Sequence, residues 1–265
     1  MVSEVDMLAA NAWSGRVAVI AGGSRGLGQG IAQSLLNAGA TVWVSSRSGD
    51  FSHWDNAGHE RLFCRQCDVS SAEDIDRWLS EVESLHEGID ALLVNTGGPP
   101  PGSFDDFSDQ DWQGAFDALL MSAIRLLRRS KPALAARKGS ALVITSAAAL
   151  EPIDGLLLSS VMRAGVHALV NQLAREWAQS GVRINAIVPG LIATERVDGL
   201  AEQLASKAGV SVEAQKAAMS GAIPMGRLGS VGEFASAATF LMSPLASYIN
   251  GSSLVVDGGS LKHNR

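Results

Sequence analysis

The chain has little of several features that mark common classes of protein. Its 265 residues contain no apolar run long enough to cross a bilayer, and Met1 to Ala12 lack the basic start and long apolar core of a secretory signal. The net charge of -6 comes with no basic cluster, which binding to a polyphosphate backbone would require. We therefore expect a cytoplasmic protein that binds neither membranes nor nucleic acids.

Cysteine is scarce as well, since Cys64 and Cys67 are the only two in the chain. Their close spacing within a predicted strand is poor geometry for a disulfide. With His53 and His59 they could be imagined as a zinc site, but these residues would span a loop and a strand, and no second cysteine pair supports the idea. We expect no metal and interpret both cysteines as partly buried free thiols.

The remaining composition is that of one globular domain. Hydrophobic residues make up 46% and charged residues 18% of a length that one large α/β domain can occupy. Short apolar β-rich runs alternate with longer segments of helical period, which is typical of βαβ units around a parallel sheet. The sequence therefore predicts a single-domain α/β fold, a doubly wound (Rossmann) parallel sheet with helices on both faces.

The periodicity of apolar residues and the positions of glycine and proline predict where strands and helices begin and end. The predicted strands are 16–21, 41–45, 61–67, 89–95, 140–145, 183–188 and 253–256, and the predicted helices are 27–37, 112–131, 156–179 and 231–242. Pro132 is expected to interrupt the second helix. Residues 1–14 are predicted to be an extension of the domain 15–265, in which the Ala-, Gly- and Ser-rich stretch 191–227 forms a mobile cover over the substrate site.

A glycine-rich turn joins the first predicted strand to the first predicted helix. Gly22, Gly26 and Gly28 stand where positive φ and a close backbone approach to a diphosphate are needed, and a helix N-terminus adds N–H donors and partial positive charge. A glycine triplet alone is weak evidence because such turns also occur for structural reasons. Its place within the first βαβ unit predicts a dinucleotide site. The cofactor-binding residues expected in this turn are Gly22, Ser24, Arg25, Gly26, Leu27 and Gly28.

The end of the second strand bears on the choice between nicotinamide cofactors. NAD-preferring proteins place an acid there to accept from the ribose 2′-OH, and that acid would repel a 2′-phosphate. This chain has Ser45, Ser46 and Arg47 instead. Arg47 and Arg25 could hold the phosphate by charge and guanidinium forks, or both could be solvated surface residues. We expect NADP(H), with NAD(H) less favoured.

Several further motifs resemble those of the short-chain dehydrogenase/reductase family, and the resemblance extends over nearly the whole chain. Its most similar branch is that of 3-oxoacyl-carrier-protein reductases. The resembling segments are Asp68-Val69 for the adenine, Asn95-Thr96-Gly97-Gly98 for the Asn-Asn-Ala-Gly motif, Pro189-Gly190 with Ile192 and Thr194 for the turn at the nicotinamide end, and Val256-Asp257-Gly258-Gly259 for the closing motif. The resemblance implies that the first three segments bind the cofactor and that the substrate is a small molecule.

The catalytic set of that family is only partly present. By position its Ser matches Ser146, but its Tyr falls on Ser159, its Lys on Arg163 and its Asn on Leu119. A serine hydroxyl is far too weak an acid to replace the tyrosine, and Arg163 stays protonated and cannot join a proton relay. Arg163 can still donate to ribose hydroxyls. The resemblance thus implies a surviving cofactor site with altered catalytic chemistry.

Other groups of the chain could replace the tyrosine as proton donor. The only tyrosine, Tyr248, precedes the last strand and is interpreted as a partly buried structural residue. Exposed loop carboxylates are mostly solvated, and a histidine one turn below Arg163 is more typical of packing or a subunit contact. The candidate proton donors are Glu151, Asp154, His167 and a water held by Ser146 and Ser159 beside Arg163.

Three functions remain open at this point. The leading hypothesis is an atypical NADP(H)-dependent reductase of a carbonyl or related group, with Ser146, Ser159 and Arg163 as catalytic residues. The alternatives are a cofactor-binding protein without redox turnover and a dehydratase or isomerase in the same cleft. The stiff loop Pro99 to Gly102 either shapes the substrate entrance or is only a rigid crossover. Helices 112–131 and 156–179 resemble the pair that forms a four-helix contact in the family, which implies a homodimer or homotetramer.

Overall fold

The fold is built on one parallel sheet of seven strands in the order β3-β2-β1-β4-β5-β6-β7. The computed structural model describes residues 12–54 and 59–262; most of the predicted extension, 1–11, lies outside the described residues, as do 263–265. The strands are β1 (Val17–Ile20), β2 (Thr41–Ser46), β3 (Leu62–Gln66), β4 (Ala91–Val94), β5 (Ser140–Ile144), β6 (Arg183–Pro189) and β7 (Ser253–Val256). The predicted doubly wound fold is confirmed.

Helices cover both faces of the sheet. They are α1 (Gly26–Asn37), α2 (Ala72–Leu85), α3 (Asp109–Ala115), α4 (Ser122–Arg137), α5 (Leu157–Trp177), α6 (Glu195–Ala208), α7 (Val212–Gly221) and α8 (Val231–Met242). Alternate strand residues point to opposite faces, so Leu92 packs in the core under α2, α4 and α5, while Leu93 packs in the core under α1 and α8. This burial on two sides explains why β1, β4 and β5 are continuously apolar or small.

Most predicted boundaries differ from the structure by one or two residues, and one expectation is wrong. The predicted helix 112–131 begins at Asp109 as α3, passes through a π-helical turn, Phe116–Met121, and continues as α4 through Pro132. Proline removes one backbone hydrogen bond. Burial of Ala133 and Leu134 against the sheet offsets that loss, so the helix ends only at Arg137.

The stretch predicted to cover the site contains two helices, α6 and α7, which pack against each other. Its ends are joined by backbone hydrogen bonds, because Gly229 N donates to Leu191 O at 3.0 Å and Ala193 N donates to Gly229 O at 2.8 Å. The segment is therefore a closed excursion from the sheet. Its mobility and its role as a substrate cover stay predictions.

The residues just before β1 are packed against the domain. Trp13 is buried, and its backbone N–H donates to Ala38 O at 2.9 Å, so the residues just before β1 pack against the end of α1. Within residues 12–54 and 59–262, no helix combines the length and the apolar character needed to cross a membrane.

Close packing of α1 against α8 at Gly30 generates a prediction. A Cβ at Gly30 would overlap Cγ1 of Val231, whose β-branched side chain has little freedom to turn away. We expect Gly30→Ala to lower the free energy of unfolding by about 1–3 kcal/mol, measured by urea denaturation.

The matched control is Gly199→Ala in α6, where a Cβ would meet no atom within 4 Å. That change is expected to be neutral or to stabilise by about 0.5–1 kcal/mol. Equal effects of the two substitutions would contradict the close approach of α1 and α8.

Candidate functional site

The glycine turn is locked in place by contacts that leave no room for side chains. Gly22 and Gly26 have φ of 63° and 58°, in the left-handed region. A Cβ at Gly28 would overlap the carbonyl oxygen of Gly22, and that oxygen also accepts from the side-chain amide of Asn95 at 2.9 Å. The turn is thus fixed both to the first turn of α1 and to the end of β4.

No capping side chain accepts a hydrogen bond from the free N–H groups at the start of α1. Its N-cap residue, Arg25, makes no side-chain cap, and its first turn contains no acid. In contrast, α2, α3, α7 and α8 are each capped by a serine side chain. Uncapped N–H groups and the positive end of the helix dipole suit an external anion. Gly26 and Leu27, at the start of α1, line a cleft in the surface of the protein.

A cleft of about 890 Å³ runs along the carboxyl ends of β1 to β4. The strand order reverses between β1 and β4, which is where doubly wound folds bind their ligands. The residues of the sequence prediction that line the cleft are Gly22, Ser24, Arg25, Gly26, Leu27, Arg47, Asp68, Val69, Asn95, Thr96, Gly97 and Thr194. Gly28, Ser146, Ser159, Arg163, Pro189, Gly190 and Ile192 are not among its lining residues.

Sequence reasoning missed part of this lining. Arg196 follows Thr194 by two residues, so the motif around Thr194 was a signal that could have found it. Small residues at helical spacing on α3 and the π-helical turn were a second signal, because they leave room for a ligand. The missed lining residues are Ser46, Cys67, Ser70, Gln110, Asp111, Gly114, Ala115, Ala118, Glu195 and Arg196; Gly98, Pro99 and Pro100 also line the cleft and belong to segments already singled out from the sequence.

The two arginines predicted to hold a 2′-phosphate differ in their surroundings. Arg47 is exposed at the end of β2, and its guanidinium has no hydrogen-bond or acidic partner among residues 12–54 and 59–262. Arg25 instead pairs with Glu195 at 3.3 Å across the mouth of the cleft. Hydrogen bonds from Ser52, with smaller contributions from His53 and Arg25, lower the pKa of Asp50 beside this pair.

The loop after β2 is braced against the glycine turn. The indole N–H of buried Trp54 donates to Gly23 O at 3.0 Å, and Gln29 donates its side-chain amide to His53 O. The imidazole of His53 lies 3.8 Å from Glu195. The loop therefore brings His53 and Asp50 to the same end of the cleft as Arg25.

Arg163 is buried and donates to main-chain carbonyls at the ends of two strands. Its Nη1 donates to Ile144 O at 2.7 Å, and its Nη2 donates to Thr96 O at 3.3 Å and Gly97 O at 3.1 Å. Burial, and secondarily the charge of Arg196, lower the pKa of Arg163 to about 10, so it remains protonated at neutral pH. Arg163 thus ties β5 to the segment after β4 that lines the cleft.

The two serines predicted to be catalytic lie on neighbouring elements. Ser146 follows β5, and its hydroxyl accepts from Ala148 N at 3.2 Å. Ser159 is buried in the first turn of α5, which packs against the short helical turn Ala147–Ala149. Leu119, at the position of the family Asn, is buried in an apolar cluster with Leu158 and Met162. The altered catalytic set inferred from the resemblance stays a prediction.

The candidate replacement acids do not line the cleft. His167 is half-buried, its Nδ1 lies 3.1 Å from Ser253 Oγ, and burial, with a smaller effect of Arg163, lowers its pKa. Glu151 accepts from the backbone N–H of Lys262 at 2.9 Å, and Asp154 is exposed. The expectation that Tyr248 is partly buried is wrong, because its side chain is fully exposed after the turn that follows α8.

The proline loop lies at the cleft and is held there by the backbone. Pro99 and Pro100 line the cleft, and Gly102 N donates to Gly155 O at 2.8 Å, which fixes the loop to the segment before α5.

Burial raises the pKa of Cys67 to about 12. Among the described residues, no three His, Cys, Asp or Glu side chains are arranged to hold a metal ion.

The parallel sheet, the glycine turn and the cleft at the strand reversal define a dinucleotide-binding type of α/β fold. A family model described as enoyl-(acyl carrier protein) reductase matches residues 21–260. The chain belongs to the short-chain dehydrogenase/reductase family.

Relatives and solved structures agree with this assignment. The chain is 32% identical over 252 residues to 2-dehydro-3-deoxy-D-gluconate 5-dehydrogenase of Pseudoalteromonas atlantica, covering 92% of this chain and 95% of the relative. It is 33% identical over 261 residues to dehydrogenase/reductase SDR family member 4 of Bos taurus, covering 96% and 90%. The structure of L-sorbose reductase from Gluconobacter frateurii, complexed with NADPH and L-sorbose, matches with a TM-score of 0.89 at 29% identity, covering 96% of this chain and 100% of that chain.

The contacts of Arg163 generate a stability prediction. A lysine ammonium is a single point charge and cannot reach Ile144 O and the Thr96 and Gly97 carbonyls at once. We expect Arg163→Lys to lower the free energy of unfolding by about 1–3 kcal/mol in urea denaturation, because a buried acceptor loses its donor.

Arg128→Lys on the exposed side of α4 is the control and should change stability by less than about 0.5 kcal/mol. If Arg163→Lys were equally harmless, the guanidinium would not be what holds the ends of β4 and β5 together.

Proposed function

We propose that this chain is an atypical NADP(H)-dependent short-chain oxidoreductase that reduces a carbonyl or related group of a small molecule. The observation that carries the proposal is the uncapped start of α1 behind the glycine turn, open to a cleft large enough for a dinucleotide. Support comes from the family, whose relatives include reductases and dehydrogenases, one of them solved with NADPH.

The residues of the cleft fit this cofactor. Backbone N–H groups of Gly26 to Gly28 suit the diphosphate, and Arg47, which has no acidic partner among the described residues, suits the 2′-phosphate. Asp68 and Val69 line the end expected to hold the adenine. Thr194, which follows β6 and precedes α6, also lines the cleft. This donor set favours NADP(H) over NAD(H).

In this proposal, the group that acts on the substrate oxygen differs from the tyrosine that serves this role in the family. When bound, NADPH supplies a hydride, and reduction of a carbonyl then needs one proton at the oxygen. Ser146 and Ser159, on adjoining elements, polarise the substrate oxygen by donating hydrogen bonds, directly or through a water. Neither serine ionises near neutral pH, so the proton comes from bulk solvent, passed to the substrate oxygen through a bound water or through a serine hydroxyl that solvent reprotonates. Arg163 contributes positive charge and positions Thr96 and Gly97.

One observation favours a second function. Leu119, Leu158 and Met162 pack together where the family has part of its relay, and Ser146, Ser159 and Arg163 lie outside the lining of the cleft. A chain of this kind can bind the nucleotide without turning it over. The second candidate is therefore a cofactor-binding protein that acts as a sensor or partner subunit.

Nucleotide titration followed by a carbonyl panel separates these functions. We expect the purified chain to bind NADPH more tightly than NADH and to oxidise NADPH with some member of the panel, followed by the absorbance of the reduced nicotinamide. The double change Ser146→Ala and Ser159→Ala should lower turnover at least about tenfold without weakening NADPH binding.

Ser160→Ala is the control, since the Ser160 hydroxyl donates to Leu156 O within the helix, and it should leave turnover unchanged. Binding of NADPH without turnover on any carbonyl would favour the second candidate. Failure to bind either nucleotide would overturn both.

We also propose that the chain forms a homodimer or homotetramer through α4 and α5. Val161 on α5 is 48% exposed and apolar, which supports a contact on that face. Sedimentation of the full chain should show a dimer or tetramer, and Val161→Glu should shift it toward smaller species because a carboxylate would be buried without a partner.

Val210→Glu is the control because Val210 is 47% exposed and lies between α6 and α7, away from α4 and α5 in the sequence. It should leave the sedimentation unchanged. A wild-type chain that sediments only as a monomer would contradict this proposal.

A further inference from the structure

Three arginine side chains line the cleft, and their partners differ. Arg25 is paired with Glu195, so its charge is balanced at the mouth. Arg47 and Arg196 have no side-chain hydrogen bond and no ion pair within the part of the chain that the structure describes. Arg47 lies at the end of β2, and Arg196 lies in the first turn of α6. The cleft therefore offers two unbalanced cations on different elements.

The Arg196 side chain reaches across to the segment after β4. Its guanidinium lies against Gly98, where a Cβ would overlap its nitrogen atoms. The start of α6 also faces the glycine turn, because Thr194 Cγ2 is only 3.8 Å from the position that a Cβ would take at Gly26. Arg196 thus belongs to the wall of the cleft that faces the start of α1.

The acids near Arg196 are already engaged elsewhere. Asp111 lines the cleft, but its carboxylate accepts from the backbone N–H of Ser108 at 2.9 Å and from its hydroxyl at 2.6 Å. The carboxylate of Glu195 lies 3.3 Å from Arg25 and 3.8 Å from His53. The nearest buried charge is a further cation, Arg163, on the other side of the same backbone segment. This part of the cleft is electropositive and suited to an anion.

We propose that Arg196 binds the diphosphate of the nucleotide from the side opposite α1. The diphosphate is then held between the backbone N–H groups of Gly26 to Gly28 and the guanidinium of Arg196. The Arg25–Glu195 pair connects the glycine turn to the first turn of α6 and so keeps Arg196 over the cleft. This inference rests on the proposed NADP(H) function and assigns Arg196 to the group that NADPH and NADH share.

The same geometry assigns a different group to Arg47. Arg47 is placed beside Ser46 at the end of β2, which is the end expected for the 2′-phosphate. That phosphate is present in NADPH and absent from NADH. The two arginines should therefore be separable by the nucleotides whose binding they affect.

Binding titrations with three probes test this division: NADPH, NADH and adenosine 2′-monophosphate, which has no diphosphate. Arg196→Gln should weaken NADPH and NADH by the same factor, about tenfold to a hundredfold, and leave adenosine 2′-monophosphate within about twofold. Arg47→Gln should weaken NADPH and adenosine 2′-monophosphate and leave NADH unchanged.

Two further variants control for charge and folding. Lys207→Gln removes a positive charge from the last turn of α6 and should not alter binding of any probe. Arg196→Lys keeps the charge but loses the planar fork, so it should bind both dinucleotides with intermediate affinity. Urea midpoints of all variants show whether a loss of binding accompanies a loss of the fold.

The outcomes separate this inference from the function on which it rests. Unchanged dinucleotide binding in folded Arg196→Gln overturns the role of Arg196 while the proposed function stands. A loss confined to NADPH also overturns it, because Arg196 would then serve the 2′-phosphate. A wild-type chain that binds neither dinucleotide overturns the proposed function and this inference together.

Discussion

The site depends on the contact between the first turn of α1 and the carbonyl of Gly22, held by Asn95. Because Gly28 has no Cβ, α1 can begin directly behind the end of β1, and its free N–H groups face the cleft. The amide of Asn95 ties the same carbonyl to β4, where the strand order reverses. This interlock sets where the free N–H groups of α1 meet the cleft, which is where we propose that the diphosphate binds.

Arg163 is a buried cation whose guanidinium hydrogen-bonds to the backbone at the ends of two strands. A buried cation without an acidic partner is costly unless its donors are used, and three main-chain carbonyls use them here. Leu119 and Met162 pack together with Leu158 in an apolar cluster. The glycine turn and the surroundings of Arg163 are thus under separate physical constraints, a close backbone contact in the first and hydrogen bonds from a buried guanidinium in the second.

The sequence was most informative where structure is locally determined. Helix α8 and strand β7 match their predicted boundaries, and α8 begins at a capping box of Ser230 and Glu233 that is readable in the chain. Long-range partners were not readable. Arg25 pairs with Glu195, which is 170 residues away in the sequence. Arg163 donates to the carbonyl of Ile144 at the end of β5 and to that of Gly97 after β4. Pro132 was misjudged because tertiary burial of its neighbours outweighed one lost hydrogen bond.

The central claim is that a nucleotide diphosphate binds at the start of α1, and a crystal structure of the chain grown with NADPH tests it most directly. The account predicts diphosphate oxygens within hydrogen-bonding distance of the backbone N–H groups of Gly26 to Gly28, with the 2′-phosphate beside Arg47. Well-defined NADPH bound anywhere else on the chain, or a diphosphate directed away from α1, would contradict it.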